Sequence, residues 1–461
     1  MSLYEELKAF GKKDRISFHI PGHRFGRGLN ADFRKNGFSV DVTEFDETDD
    51  LRCPRGILAD AQNRAAAAFG AEKTFYVTTG STGALIAAIY GACRRGDSLI
   101  IDRTCHRAVI SAAIMRGVVP IFVQPEFDEK NGVYIGMTPE TITAALEENP
   151  DAVGAVLTSP TYYGVCSDIE EISAVLHDKG KFLIADEAHG AHFAFHPELP
   201  RTALEAGADV VIQSAHKTLP AMGQTSLLHI GGSSVIKIGA IERALRLFHT
   251  TSPSYMMMAS VDEAVLHMRE RGRDELNDRI AEIESLKAAV GAAGVIDFFD
   301  SGSCGRPQDM LRLVADVRRT GKSGIEVTEI LKNEYGIYAE MADLYHVVFV
   351  ATCANTKKDI DTLKNALTRI SKKGSGVFGG GNLKALPNIK LDVMPFEAWD
   401  MPSVRIPLCN AEGRIAAEIL AACPPGAAIL IPGQKISRDD IDCIRQWDAA
   451  ETVSVLADTA K

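Results

Sequence analysis

The chain has 461 residues, 46% of them hydrophobic and 24% charged, with a net charge of -11. That balance excludes a disordered, fibrous or coiled-coil chain, and an acidic chain without a long basic block weighs against a nucleic-acid surface. No apolar stretch approaches the roughly 20 residues of a membrane-spanning helix.

Length alone suggests about three domains, although one α/β domain can run to about 250 residues. The first residues, Met1-Ser-Leu-Tyr-Glu-Glu-Leu-Lys, lack the basic and apolar regions of a secretory signal. Nine scattered cysteines with no Cys-x-x-Cys pair fit reduced thiols rather than a disulfide framework or a zinc site. The expectation is a cytoplasmic protein without a bound metal.

Residues 1–40 read as an N-terminal arm. Beyond it, apolar runs at 74–79, 98–102, 118–123, 152–158, 182–186, 209–214 and 226–230 read as strands. Amphipathic stretches at 81–94, 105–116, 139–148 and 169–179 lie between several of them. Strands that are apolar on both faces and separated by helices predict βαβ units in a mostly parallel, seven-stranded sheet. These make one large α/β domain over 41–255, whose ligand site lies outside the carboxyl ends of the strands.

Residues 256–461 read as a smaller C-terminal α+β domain. It contains a long helical pattern at 261–291, strand-like runs at 310–317 and 346–351, and a helix at 357–370. A Gly-rich break at 374–381 can divide it, ahead of a final segment at 414–423 and a Pro-Pro-Gly turn at 424–426.

Two strand ends carry the chemistry. Phe182-Leu-Ile-Ala-Asp186 is an apolar strand ending in a carboxylate, followed by Glu187-Ala-His189-Gly190. A buried acid there is costly unless something cationic pairs with it. One βαβ unit later, the run at 209–214 ends in Ser214-Ala-His216-Lys217. A lysine just past a strand end, near an opposed carboxylate, suits a Schiff-base amine. Pyridoxal phosphate needs this pair: a lysine for its aldehyde, and an aspartate to keep its ring nitrogen protonated. A solvated loop lysine is the plain alternative for Lys217, and the neighbouring motif outweighs it.

Thr79-Gly80-Ser81-Thr82-Gly83 follows a strand and opens a helix, so Gly80, Ser81 and Thr82 form a candidate phosphate cradle with Ser214. Taken alone, the same turn reads as a plain helix cap. His106, after the strand at 98–102, either stacks on a flat ring or merely starts a helix. His189 and His216 carry the same ambiguity.

At these residues the chain resembles the Orn/Lys/Arg decarboxylase family of fold-type I pyridoxal-phosphate enzymes, over nearly its whole length. The resemblance rests on Ile20-Pro-Gly-His23, Asp41-Val-Thr-Glu44, Asp49-Asp50-Leu51, Thr79–Gly83, residues 102–107 and Ser159-Pro-Thr-Tyr-Tyr-Gly164. It continues through Asp186-Glu-Ala-His-Gly190, residues 214–220, Thr251-Ser-Pro-Ser254, Gly413-Arg-Ile415 and Pro424-Pro-Gly426. It implies that Lys217 carries the cofactor, Asp186 pairs with the ring nitrogen, and His106 stacks on the ring. Ser81, Thr82, Ser214 and His216 would hold the phosphate, with Ala188 beneath the ring. It also implies a homodimer with sites at the subunit interface, where Ser252 in the 251–254 loop reaches the neighbouring phosphate. The chain looks like the family's short form, without an N-terminal receiver-like domain.

Three positions depart from the family pattern. Phe45-Asp-Glu-Thr-Asp49 replaces a Leu-Pro-Gly turn, Ala215 stands for a Thr, and Gln434 stands for a Glu after Pro-Gly. The activity implied is decarboxylation of arginine, lysine or ornithine to a polyamine-pathway amine. Lys217, His216 or His189 would return a proton to the substrate carbon. Glu44, Asp49, Asp50, Glu340 and Asp343 are candidate acids for a cationic side chain. The rival readings are an aminotransferase or aldolase using the same Lys–Asp pair, and a non-catalytic protein that only holds the cofactor. An aminotransferase would usually grip the substrate carboxylate with a small-domain arginine, for which Arg405 and Arg414 are available.

Overall fold

Short runs that are apolar at every position bury both of their faces, and seven such runs build the central sheet. The computed structural model describes residues 2–12, 15–421, 426–447 and 449–458. The seven strands are β1 (Lys73–Val77), β2 (Ser98–Asp102), β3 (Val119–Val123), β4 (Gly154–Thr158), β5 (Phe182–Asp186), β6 (Val210–Gln213) and β7 (Ser226–Ile230). Their spatial order is β1-β7-β6-β5-β4-β2-β3. Strands β2 to β6 pair in parallel, whereas β7 runs antiparallel to both of its neighbours. The antiparallel β7 has no signature in its own residues, because Ser226–Ile230 is buried throughout like its neighbours.

The strand period of two divides the side chains between two cores. In β5, Leu183 and Ala185 join one core, while Phe182 and Ile184 join the other. Helices α1 (Gly80–Ala92) and α2 (Arg107–Arg116) cover the second face through Ala84, Leu85, Val109 and Ile110. Helices α3 (Pro139–Glu148) and α4 (Ile169–Asp178) cover the first through Ile142, Leu146, Ile172 and Leu176. The start of α3 is fixed by Pro139 in its first turn and by the Thr138 hydroxyl, which accepts from Thr141 N.

The helical pattern at 261–291 is not one regular helix. It comprises α5 (Tyr255–His267) and α6 (Arg273–Ala293), joined by a π-helical turn at Met268–Gly272. One extra residue per turn there shifts the buried face, so the 3.6-residue period slips between the two parts. A four-stranded antiparallel sheet follows, with β8 (Arg312–Asp316) and β9 (His346–Val350) at its centre. The helix expected at 357–370 extends to Lys373. A separate small core near the C-terminus gathers Leu430, Ile436, Ile441, Ile444, Val453 and Val455. Of the Pro-Pro-Gly turn only Gly426 is among the described residues, and Cys423 also lies outside them.

Residues 16–24 bridge the two sheets. Ile16–Phe18 pair in parallel with Ile337–Ala339. Arg24 is fully buried and donates to Val350 O (2.6 Å) and Asn355 Oδ1 (2.9 Å). Gly22 N donates to His216 O at 2.7 Å. A Cβ at Gly22 would meet Leu219 O at 2.8 Å and Lys217 O at 3.0 Å, so only glycine lets the arm lie against the Lys217 turn.

Gln434 is buried, donates to Asp440 Oδ1 at 3.0 Å, and accepts from Ile431 N at 3.2 Å. A glutamate at this position would oppose a second buried carboxylate. We expect Gln434→Glu to lose about 2–4 kcal/mol of stability near neutral pH, recovering partly in mild acid as the new carboxyl takes up a proton. Denaturant unfolding at several pH values checks this, and a variant as stable as the parent at pH 8 would contradict it.

Candidate active site

The topology brings the carboxyl ends of β1, β2, β4, β5 and β6 to one edge of the sheet, beside the first residue of the antiparallel β7. A cavity of about 340 Å³ lies there. Gly80, Ser81, Thr82, His106, Asp186, Ala188, His189, Ser214, His216 and Lys217 all line it. Of the residues singled out from the sequence, Ser252 does not: it is exposed on its loop.

β5 ends at Asp186, which is 4% exposed and in register with Ile212 of the parallel neighbour β6. Lys217 follows β6 in the one-turn helix Ala215–Thr218. Burial pushes the Asp186 carboxyl up, the charge of Lys217 opposes that shift, and Ala188 N donates to Oδ1 at 3.2 Å. A buried carboxylate facing a cavity that also holds a lysine amine suits a ligand bearing a protonated ring nitrogen and a carbonyl carbon.

A hydroxyl cluster marks the other end of the site. Ser81 Oγ lies 2.6 Å from Ser214 Oγ and 2.9 Å from Ser226 Oγ, tying the ends of three strands together. Helix α1 starts at Gly80, whose φ of +72° favours glycine. A Cβ at Gly83 would run into the Thr79 side chain. Thr79 and Thr158 line the cavity, and their buried hydroxyls have no hydrogen-bond partner among the described residues. The orphaned Thr79 hydroxyl at the N-terminus of a 13-residue helix fits a phosphate group.

The three histidines are held differently. His106 caps α2, its Nδ1 accepting from Ala108 N at 3.2 Å, so the helix-start role is realised in a ring that also lines the cavity. His216 Nδ1 lies 2.8 Å from Thr225 O. His189 lies between two basic side chains, with Nε2 3.0 Å from Lys217 Nζ and Nδ1 2.9 Å from Arg312 Nη2. Burial lowers His106 and His216 to about 4, and nearby Lys217 adds to both shifts. Burial also drives His189 well down, reinforced by Lys217 and Arg312.

Sequence reasoning missed Arg312, Ser226 and Thr158. Arg312 opens β8, more than 90 residues after Lys217 in the chain, and looks there like any charge at a strand start. Tyr162 lay inside a motif without a role. Its ring meets His189 edge-on at 5.0 Å, and its hydroxyl donates to Glu340 Oε1 at 2.5 Å.

The candidate acids separate clearly. Glu340 sits one hydrogen bond behind the lining residue Tyr162 and also accepts from Ile20 N at 2.9 Å. Asp343 is buried and accepts from Tyr163 Oη at 2.8 Å. Asp49 caps the Ile57–Phe69 helix, accepting from Gly56 N and Leu58 N, and Asp50 pairs with Arg52. Glu44 accepts from Thr43. None of the five lines the cavity. Neither do Arg405, which bonds Thr452, and Arg414, which reaches Leu456 O. The described cysteines are reduced thiols. Away from the cavity, His267, Glu275 and Cys353 bring one possible ligand atom each within 4.8 Å, with His267 and Glu275 bonded to each other at 2.8 Å. Among the described residues, no helix is long and apolar enough to cross a membrane.

This strand order, with a strand-end aspartate and a lysine turn at one cavity, defines a fold-type I enzyme. The chain belongs to the Orn/Lys/Arg decarboxylase family, whose major domain matches residues 1–304. It is 35% identical over 459 residues to an arginine decarboxylase of Bacillus subtilis, covering 96% of this chain and 92% of that one. It is 31% identical over 311 residues to a lysine decarboxylase of Pseudomonas aeruginosa, covering 60% of this chain and 41% of that one. The lysine decarboxylase structure from Francisella novicida superposes with a TM-score of 0.78 at 19% identity, covering 98% of this chain and 80% of that one. An L-threonine transaldolase from Pseudomonas fluorescens shares the fold with a TM-score of 0.60 at 16% identity, over 81% and 87% of the two chains. The fold therefore does not select the reaction.

The depressed histidines set a pH dependence. Unfolded, each ring takes up a proton near pH 6.5. Folded, His106 and His216 resist protonation down to about 4. The unfolded chain thus binds more protons in acid, and stability present above pH 6.5 is lost as the pH falls towards 4. Denaturant midpoints without added cofactor should fall over this window, and His216→Gln should make the fall shallower.

Proposed function

We propose that the protein decarboxylates a basic amino acid with pyridoxal phosphate, releasing carbon dioxide and an amine of the polyamine pathway. The observation that carries this is the placement of Lys217 and Asp186 at neighbouring parallel strand ends in one cavity, in a chain of this family. Arginine is the first substrate to try, since four relatives aligned over nearly their full length carry that name. We further propose a cytoplasmic homodimer in which Ser252 faces the partner subunit's site.

Pyridoxal phosphate bound here supplies an aldehyde for the amine and a ring that takes up the electron pair left by the departing carboxylate. Lys217 would hold the aldehyde, and Asp186 would keep the ring nitrogen protonated. Ser81, Ser214 and the first N–H groups of α1 would bind the phosphate, with Thr82 and His216 beside them. His106 and Ala188 would hold the ring. Apolar walls exclude water around the departing carboxylate and favour its release as neutral carbon dioxide. Arg405 and Arg414 do not line the cavity, so neither is placed to grip a substrate carboxylate from within this chain.

Purified protein given pyridoxal phosphate and arginine, lysine or ornithine in turn should release carbon dioxide and the matching amine from one of them. Lys217→Ala should lower that turnover at least about 10³-fold. A keto acid formed with an added acceptor, in place of carbon dioxide, would overturn the reading.

A further inference from the structure

The hydrogen bonds around His189 fix where its proton sits. Arg312 is 1% exposed, and its Nη2 lies 2.9 Å from His189 Nδ1. A guanidinium has donors and no acceptor. His189 Nδ1 must therefore be the nitrogen that carries a lone pair, and the ring proton sits on Nε2. That Nε2–H points at Lys217 Nζ, 3.0 Å away. A hydrogen bond in this direction needs an accepting nitrogen, which an ammonium is not.

We propose that Arg312 is a positioning residue, locking His189 as the Nε2-protonated neutral tautomer that holds Lys217 as a free-base amine. The proposal rests on the reading of Lys217 as the cofactor-bearing lysine. A second lock lies across the site. His216 Nδ1 faces Thr225 O at 2.8 Å, so this ring must carry its proton on Nδ1 and leave Nε2 bare. The two histidines beside Lys217 are thus fixed in opposite tautomers, one presenting an N–H and the other a lone pair.

This choice decides which group returns the proton to the substrate carbon. A neutral Nε2–H ring that gave its proton away would become an anion, and His216 Nε2 has none to give. Lys217 is the remaining donor. Substrate would arrive as an ammonium and pass two protons to Lys217 as the two nitrogens exchange places, so that Lys217 would leave as an ammonium. The carboxylate departs as carbon dioxide, and the electron pair it leaves on carbon takes a proton from Nζ. Lys217 is then a free amine again, held by His189 Nε2–H and ready to displace the product.

Lys217, Arg312, His216 and His106 act on His189, and Lys217 and Asp186 of β5 act on each other. Asp309, bonded to His192, lies close enough to Arg312 to feel its charge. Arg312 Nε and Nη1 have no hydrogen-bond partner among the described residues, which leaves the His189 contact as the one hydrogen bond its side chain makes there.

Two measurements test the inference. In protein labelled with nitrogen-15 at histidine and assigned with His189→Gln, His189 should show a bare Nδ1 and an N–H at Nε2 in the unaltered chain. A protonated Nδ1 there overturns the proposal without any change at Arg312. The second measurement is the rate at which cofactor-free protein captures added pyridoxal phosphate as a function of pH. Arg312→Met removes the donor. It should move the pH midpoint of capture up by about one unit and slow capture at pH 7 roughly tenfold, while Arg312→Lys should restore both in part. An unchanged midpoint in a folded Arg312→Met protein defeats the inference alone. If the unaltered chain and Lys217→Ala give the same cofactor absorbance after borohydride reduction and dialysis, the reading of Lys217 fails instead.

Discussion

Asp186 is a carboxylate held out of water at the end of a strand whose other residues are entirely apolar, and the rest of the site answers to that cost. Its burial is tolerable because β6 runs parallel beside it, ends one residue beyond the register position opposite Asp186, and turns at once into the helix bearing Lys217. The lysine and the carboxylate thus share one cavity. A ligand with its own positive nitrogen and an electrophilic carbon satisfies both groups together.

The supports around that pair come from distant parts of the chain. The antiparallel β7 starts at the edge where the parallel strands finish, so Ser226 joins Ser81 and Ser214. From the small sheet, Arg312 reaches His189 and Glu340 reaches Tyr162. The cavity is therefore lined by strand ends of the large sheet together with residues such as Tyr134, Leu386, Ile429 and Trp447, and is braced from behind by the small sheet. The braces act through other side chains: Arg312 stands behind His189 rather than in the cavity wall.

Much of this was legible in the sequence because the chemistry sits in short local motifs at strand ends. Asp186, Lys217, Ser81 and Ser214 each follow a run whose apolar pattern announces a buried strand, and their spacing is that of βαβ units. What was not legible depends on tertiary pairing. Nothing in Ser226–Ile230 distinguishes an antiparallel strand from a parallel one when both faces are buried. Arg312 carries no local signal, since its partner lies more than 120 residues earlier. The π turn at Met268–Gly272 hid because a one-residue slip leaves the helical period intact on either side. Asp49, a candidate for substrate binding, proved to be a helix cap, which an acid ahead of an apolar helix commonly is.

The contact between Gly22 and the Lys217 turn has a consequence for the order in which the molecule is made. The arm leaves the ribosome ahead of the large sheet, yet its strand partner is Ile337–Ala339 and the groups that bind Arg24 are Val350 and Asn355. It cannot seat until those distal residues have been synthesised, so it waits while the large sheet assembles. The turn that carries Lys217 receives its backing only then. A nascent or truncated chain that ends before residue 337 can form the central sheet without completing this support, so assembly of the reactive lysine is tied to arrival of the distal strands.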